Sequence, residues 1–146
     1  MALSRHSRIR DERGAELIEF ALVLPLFLLV MAAILDFGFV FQQYTVVTNA
    51  AREGARLATV PNSSTAAVEN RVKAYVQGAG LTGNPHTVVS PVSIATVPGG
   101  PVYKGVRVAV RYPCQFMAVG AIAAFFGGPL DAPTLRAQAT MRHESQ

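Results

Sequence analysis

The feature that most constrains this chain is an uncharged apolar run near its amino terminus, FALVLPLFLLVMAAIL at residues 20–35. With the apolar residues on either side it forms a stretch of about 25 residues, long enough to cross a bilayer as a helix. Only Glu19 and Asp36 interrupt that stretch. The sequence therefore predicts one membrane-spanning helix, and its composition of 51% hydrophobic and 15% charged residues also favours membrane contact.

The residues before the run predict its orientation. Residues 1–14 carry Arg5, Arg8, Arg10 and Arg13 against two acids, and such a basic flank is typical of the cytoplasmic side of a membrane helix. Residues after about 41 are then expected outside the cytoplasm. The formal net charge of +4 is too small and too spread out to indicate nucleic acid as a partner. The single cysteine, Cys114, excludes an internal disulfide and is expected to be a small buried side chain.

The position of Gly14 argues against an ordinary cleaved signal peptide, whose small-residue cleavage site follows the apolar run. Here the most conspicuous small residue precedes the run. Cleavage after Gly14 would remove the basic residues and leave the hydrophobic helix on the mature chain. The product would be an anchored subunit.

These residues resemble a known processing site. Gly14, the four residues after it, Glu19-Phe20 and a hydrophobic helix containing Pro25 are similar to type IV prepilins, which an aspartyl prepilin peptidase cleaves. Within that class, RGAELIEFALVLPLFLLVMAAILDFG at 13–38 and AAREGAR at 50–56 most resemble the TadE-like minor pilins, or pseudopilins, of tight-adherence (Tad, or Flp) pili.

The resemblance implies a function in pilus biogenesis and adherence, with a processing site formed by Gly14, Ala15, Glu19 and Phe20. It implies four kinds of partner: the prepilin peptidase, other Tad pilins and pseudopilins, the inner-membrane assembly platform and membrane lipid. The expected location is the bacterial inner membrane, with incorporation into an extracellular pilus left open. The rival interpretation is an unprocessed, single-span anchor for an extracytoplasmic binding or scaffold domain.

Two interpretations of Glu19 stay open. Cleavage after Gly14 would create an α-amine on Ala15, about one helical turn from Glu19. In related pilins this glutamate pairs with the amino terminus of a neighbouring subunit, so its desolvation is offset only in the correctly docked helix. Alternatively, Glu19 is an interfacial carboxylate near a helix start, where the helix dipole and head-group water favour it.

The rest of the helix supplies further candidate assembly residues. Pro25 predicts a bend within the span. Asp36 is expected near the opposite interface, either solvated or in contact with a neighbouring subunit. Residues 42–59 continue the helix, with Ala50, Gly54 and Ala58 forming a stripe of small side chains on which another helix packs closely; alternatively, Gly54 is tolerated near a fraying end. Glu53 is a possible partner for Arg56 three residues later.

The remainder predicts an α+β domain, and we expect three regions: leader 1–14, helix 15–60 and extracytoplasmic domain 61–146. Residues 66–77 show an amphipathic helix with Thr65 as N-cap, Gly78 or Gly80 at its end, and an apolar stripe of Val68, Val72, Tyr75 and Val76. Strand patterns follow at 88–97, 102–112 and 134–144, with the turn PGGP after the first. A helix on a small antiparallel sheet is the simplest arrangement.

The last two strands alternate apolar residues with Arg107, Arg111, Arg136 and Arg142. The sheet face that carries these arginines is either solvated or a basic patch for an acidic partner. Residues 114–128, CQFMAVGAIAAFFGG, are too short for a second span. We expect them to connect two strands and close the core, with a patch that contacts the membrane or a neighbouring pilin as the alternative.

No catalytic chemistry is predicted. GAGLTG at 78–83 matches a dinucleotide-binding string but follows a helix, the reverse of the context that such a site needs. His6, His86 and His143 are far apart in the sequence and indicate no metal site. The chain is therefore expected to be neither an enzyme nor a cofactor-binding protein.

Overall fold

The computed structural model describes residues 6–95, 98–125, 127–128 and 133–143, with side chains described from Gly14 onward except at residues 121 and 123–125. The predicted α+β architecture is confirmed. The elements in chain order are α1 (His6–Ala58), α2 (Thr65–Gly78), β1 (His86–Ala95), β2 (Val102–Pro113), α3 (Ala118–Phe125) and β3 (Thr134–Arg142).

Helix α1 runs for 53 residues without interruption, passing through Pro25. Its continuation beyond the apolar run confirms the prediction for residues 42–58. From Gly14 onward it is long and apolar enough to cross a membrane, and only 6% of its most apolar 18-residue window is buried. Pro61 and the left-handed Asn62 follow the helix at its end. The bend predicted at Pro25 stays a prediction.

Helix α2 is amphipathic, as predicted, but its N-cap is Ser64. The Ser64 hydroxyl accepts a hydrogen bond from the Ala67 N–H at 3.1 Å, so the assignment of Thr65 as the cap was wrong by one residue. Both residues are good caps, and the local sequence does not distinguish them. The helix ends at Gly78, and Gly80 beyond it is left-handed.

The sheet has the order β1-β2-β3, and both pairs are antiparallel. Its central strand alternates as predicted, with Val106, Val108, Val110 and Tyr112 buried and Arg107 and Arg111 exposed. Strand β1 lies at an edge, which tolerates the missing backbone N–H of Pro91. The sheet thus has one apolar face that must be covered.

The carboxyl-terminal part of α1 supplies most of that cover, and the buried face of α2 packs against α1 and the edge of the sheet. The core combines residues of both helices with the inner face of β2 and β3; it contains Val47, Ala50, Ala51, Ala55, Val68, Val72, Val76, Leu81, Val108, Val110, Tyr112 and Ala137. A fully buried valine stabilises a fold by about 1.5 kcal/mol or more. Because a 14-residue helix is marginal alone, this burial is what holds α2 in place.

Gly54 allows α1 to approach α2 and the sheet closely in this core. A Cβ atom at position 54 would lie 2.7 Å from Cγ2 of Val72 and 3.3 Å from Cγ1 of Val108. The glycine therefore has a packing function, and the alternative of a tolerated residue at a fraying end was wrong. The stripe of small residues does receive a helix, but that helix is α2 of the same chain.

The segment between β2 and β3 forms a short helix that the sequence did not predict. It connects the two strands, as expected, but α3 contacts α1, and among the described residues the core cluster includes none from 116–122. The side chains of residues 121 and 123–126 lie outside the part of the chain that the structure describes, so the expectation that residues 114–128 close the core stays a prediction. Cys114, just before it, is free and buried as predicted, and burial together with the nearby Asp36 carboxylate raises the pKa of its thiol.

Gly54→Ala should lower the free energy of unfolding by about 1 kcal/mol, because overpacking a core costs about 1–3 kcal/mol and the better helix propensity of Ala returns only about 1. Denaturant unfolding of the full chain in detergent measures the change. Gly78→Ala is the matched control, since nothing lies within 4 Å of its added Cβ. In a Val72→Ala background the clash is relieved, so Gly54→Ala should lower the free energy of unfolding by less. If Gly54→Ala has the same effect on that free energy with and without Val72→Ala, this packing account is wrong.

Candidate functional site

Helix α1 has two parts with opposite surroundings. From Ala15 to Phe41 almost every apolar side chain is exposed, including Leu22 at 75% and Phe37 at 74%. From Gln43 onward one face is buried in the domain, with Val47, Ala50, Ala51 and Ala55 fully covered. The exposed part, residues 15–41, is therefore an apolar surface that the described part of the domain leaves uncovered.

The four predicted processing residues lie at the start of the exposed part. Ala15, Glu19 and Phe20 are exposed, and no heavy atom lies within 4 Å of a Cβ built on Gly14. Ala15 and Glu19 are one turn apart on a continuous helix, so their side chains share a face. Among the side chains that the structure describes, Glu19 belongs to neither ion pair. The site is accessible and uses none of the domain's packing.

Asp36 is buried and caps α3. Its Oδ1 accepts hydrogen bonds from the backbone N–H groups of Met117 and Ala118, both at 2.9 Å, and its Oδ2 accepts one from Val119 at 2.6 Å. A carboxylate at this position satisfies unpaired donors and meets the positive end of the helix dipole. The sequence had offered water or a neighbouring subunit as partners for Asp36, and the structure gives it a partner within the chain.

Gln43 holds the same segment two helical turns further along α1. Its Nε2 donates to the Gln115 carbonyl at 2.8 Å, and its Oε1 accepts from the Gln115 N–H at 3.0 Å. Asp36 and Gln43 are the two polar residues buried among the described side chains. Together they form what we call the α1 polar clamp, which fixes the start of α3 against α1.

Sequence reasoning missed this clamp, although one signal for it exists. The residues before α3 are Cys114, Gln115, Phe116 and Met117. None of them is the Ser, Thr, Asp or Asn that commonly caps a helix. A helix start without a local cap needs an acceptor from elsewhere in the chain, and Asp36 is that acceptor.

Glu53 joins α1 to α2. Its carboxylate accepts hydrogen bonds from Arg56, at 2.9 Å to Nη2, and from Arg71 of α2, at 2.7 Å to Nη2. The predicted pair with Arg56 is confirmed, whereas the sequence missed Arg71. Hydrogen bonds from Arg56 and Arg71 lower the pKa of Glu53 from 4.5 to about 2. These three residues border a surface cleft of about 600 Å³.

The remaining candidate residues divide between the two parts of α1. Pro25 lies in the exposed part. Ala50 and Gly54 are buried in the domain, and Ala58 is half-buried against the core. The stripe of small residues is therefore occupied by a helix of the same chain, α2.

The predicted basic face of the sheet is present. Arg107, Arg111, Arg136 and Arg142 are exposed on its outer side, with Arg111 directly opposite Arg136 in the register. The guanidinium of Arg142 lies 4.2 Å from the ring centroid of Tyr103. Whether this face meets water or an acidic partner stays a prediction.

Removing the clamp should release α3. Asp36→Ala should raise amide exchange at Met117–Val119 by roughly tenfold or more, because hydrogen bonds to a charged group contribute about 1.5–3 kcal/mol. Asp36→Asn, which retains an acceptor, should have a smaller effect. Gln43→Ala should act at Gln115, and the control Gln42→Ala, at an exposed position, should change neither. Hydrogen exchange detected by mass spectrometry measures these changes. If the amides of Met117–Val119 exchange as slowly in Asp36→Ala as in the wild type, the clamp is contradicted.

The Glu53 cluster should make stability depend on pH. Because the folded-state pKa of about 2 lies below the ordinary 4.5, the stabilisation is complete above pH 4.5 and is lost as the pH falls towards 2. The difference in melting temperature between the wild type and Glu53→Gln should shrink over that range. Arg71→Ala should raise the pKa of Glu53 and so narrow the pH range over which the stabilisation is lost. The control Arg52→Ala should leave that range unchanged. A carboxyl NMR titration of Glu53 near pH 4.5 would refute the assignment.

The comparisons with known proteins agree with the predicted family. The family model described as TadE-like protein matches residues 14–56, which extend from the candidate processing site to the buried part of α1. No curated protein and no solved structure matches the chain. Over residues 14–56, therefore, the chain is similar to TadE-like proteins.

Proposed function

We propose that this chain is a minor pilin, or pseudopilin, of a Tad (Flp) type IV pilus and acts as a structural subunit. It enters the inner membrane with its amino terminus in the cytoplasm, is cleaved by a prepilin peptidase after Gly14, and assembles through residues 15–41 of α1. Its partners are other Tad pilins and the inner-membrane assembly platform.

The exposed part of α1 is the observation that carries this proposal. Residues 15–41 have few contacts with their own domain, whereas residues beyond Gln43 are buried in it. A helix that is apolar on nearly all sides requires lipid or other helices around it. The match to TadE-like proteins covers the same exposed residues. A single surface thus serves first for membrane insertion and then for packing between subunits.

The geometry of the processing site supports a role for cleavage in assembly. Cleavage would place a cationic α-amine on Ala15, four residues from the exposed Glu19 on the same helix face. A carboxylate surrounded by apolar neighbours is costly unless it is paired. We therefore infer that Glu19 pairs with the new amine of an adjacent subunit, which specifies the register of docked helices.

The rival function is an extracytoplasmic binding or scaffold domain that keeps its leader and never enters a fibre. The two functions differ in the amino terminus of the membrane-bound chain. A chain that begins at Ala15 indicates a processed pilin, and a chain that retains residues 1–14 indicates an anchor. A chain that begins beyond Ala33 would indicate a conventional signal peptide.

Gly14→Ala should block processing, because the added methyl group enlarges the residue at the cleaved bond. Mass spectrometry of the membrane fraction, from cells with and without the prepilin peptidase, should show Ala15 as the first residue only for the wild type with the peptidase. Gly38→Ala, in the same helix and equally open, is the control and should be processed normally. Loss of the leader without the peptidase would contradict the proposal.

Glu19→Ala should be processed at Gly14 but should assemble poorly, since the charge that sets the register is missing. Glu16→Ala changes an exposed carboxylate one turn away and should assemble like the wild type. Recovery of each variant in sheared pili and in cross-linked complexes with other pilins measures assembly. If Glu19→Ala is processed and assembles normally, the pairing of Glu19 with the amine is wrong.

A further inference from the structure

The α3 segment, defined here as residues Gln115–Phe125, is apolar, yet none of its described side chains belongs to the domain core. No charged residue occurs between Arg111 and Asp131 in the sequence. Met117 is 66% exposed, and Phe116, Ala118, Val119 and Ile122 are half-buried. An apolar helix of this kind normally packs into a core, so its position beside α1 requires a separate explanation.

The α1 polar clamp determines where the α3 segment lies along α1. Hydrogen bonds from Met117, Ala118 and Val119 place its start at the level of Asp36, and the bonds between Gln115 and Gln43 add a second attachment two turns away. Both clamp residues are buried. The start of α3 is therefore attached to α1 between residues 36 and 43.

That stretch of α1 is where the span leaves the bilayer. A hydrocarbon core of about 30 Å takes about 20 residues of helix, so a span that begins at Glu19 ends close to Phe39. The exposed side chains change there, from Leu35, Phe37 and Phe41 to Gln42 and Tyr44. An exposed tyrosine is typical of the membrane–water interface.

Both elements have exposed apolar side chains at this level of α1. Phe37 is 74% exposed on α1, beside the Asp36 that holds Met117. In water they would leave an apolar patch on the surface. In the interfacial layer of a bilayer the same side chains would be covered by lipid, as in other amphipathic helices that lie at a membrane surface.

We propose that the α3 segment is a second membrane contact, held by Asp36 and Gln43 in the outer interfacial layer of the bilayer beside the exit of α1. Its ligand is the lipid surface. The inference rests on the proposed function only for the membrane span of α1, and requires neither cleavage nor assembly. It also explains the contacts of Asp36, because hydrogen bonds from three backbone N–H groups stabilise a carboxylate at the depth of the interfacial layer.

Tryptophan fluorescence tests the inference, because the chain contains no Trp. Three variants of the full-length chain are reconstituted in phosphatidylcholine vesicles, with or without bromine on the acyl chains. Met117→Trp reports on α3 and Leu28→Trp on the middle of the span. Val60→Trp is the control, because Val60 is exposed and lies far from the expected bilayer. It follows Ala58, and the distance from Asp36 to Ala58 along the helix is about 33 Å.

Brominated lipid should quench Met117→Trp and Leu28→Trp but leave Val60→Trp unchanged. If Leu28→Trp is quenched and Met117→Trp is not, the inference is wrong, whether water or a neighbouring subunit covers α3. If Leu28→Trp is not quenched, both the span and the inference are wrong. Adding Asp36→Ala to Met117→Trp should reduce its quenching, with hydrogen exchange in β2 showing that the domain is still folded. Unchanged quenching would refute the role of the clamp.

Discussion

The packing of Val72 and Val108 against the backbone of α1 at Gly54 is the contact from which the domain is built. It brings α2 and the sheet onto the same helix that carries the apolar run. The apolar part of α1 is therefore not joined to the domain by a linker; the core includes about three turns of the same helix, from Val47 to Ala58. One continuous helix connects the exposed apolar residues to the core.

The polar contacts reinforce this arrangement at two levels along α1. Near the domain's far end, Glu53 binds Arg71 and ties α2 to α1. Near the end of the exposed apolar part of α1, Asp36 and Gln43 bind the backbone of the segment between β2 and β3. Each contact pairs a polar group of α1 with a donor far away in the sequence. The apolar core supplies most of the stabilisation, and these bonds specify where each element lies along the helix.

Local patterns explain what the sequence predicted correctly. The apolar run, the stripe of Val68, Val72 and Val76, and the alternation in β2 each express one element's own period, so they can be read without knowing the element's neighbours. The processing motif at Gly14 is a local pattern of the same kind, and cleavage there stays a prediction. The same reasoning correctly paired Glu53 with Arg56, which is one turn away on the same helix.

The sequence by itself therefore determined the kind, order and apolar face of nearly every element, and the similarity of residues 14–56 to TadE-like proteins. The tertiary structure alone decided the partners: α2 on the small-residue stripe, Arg71 on Glu53, and the start of α3 on Asp36 and Gln43. The physical reason is that backbone N–H groups are present at almost every residue. A side chain that binds such groups 81 positions away, as Asp36 binds Met117, leaves no residue pattern at the other end. Only the folded chain shows which donors it meets.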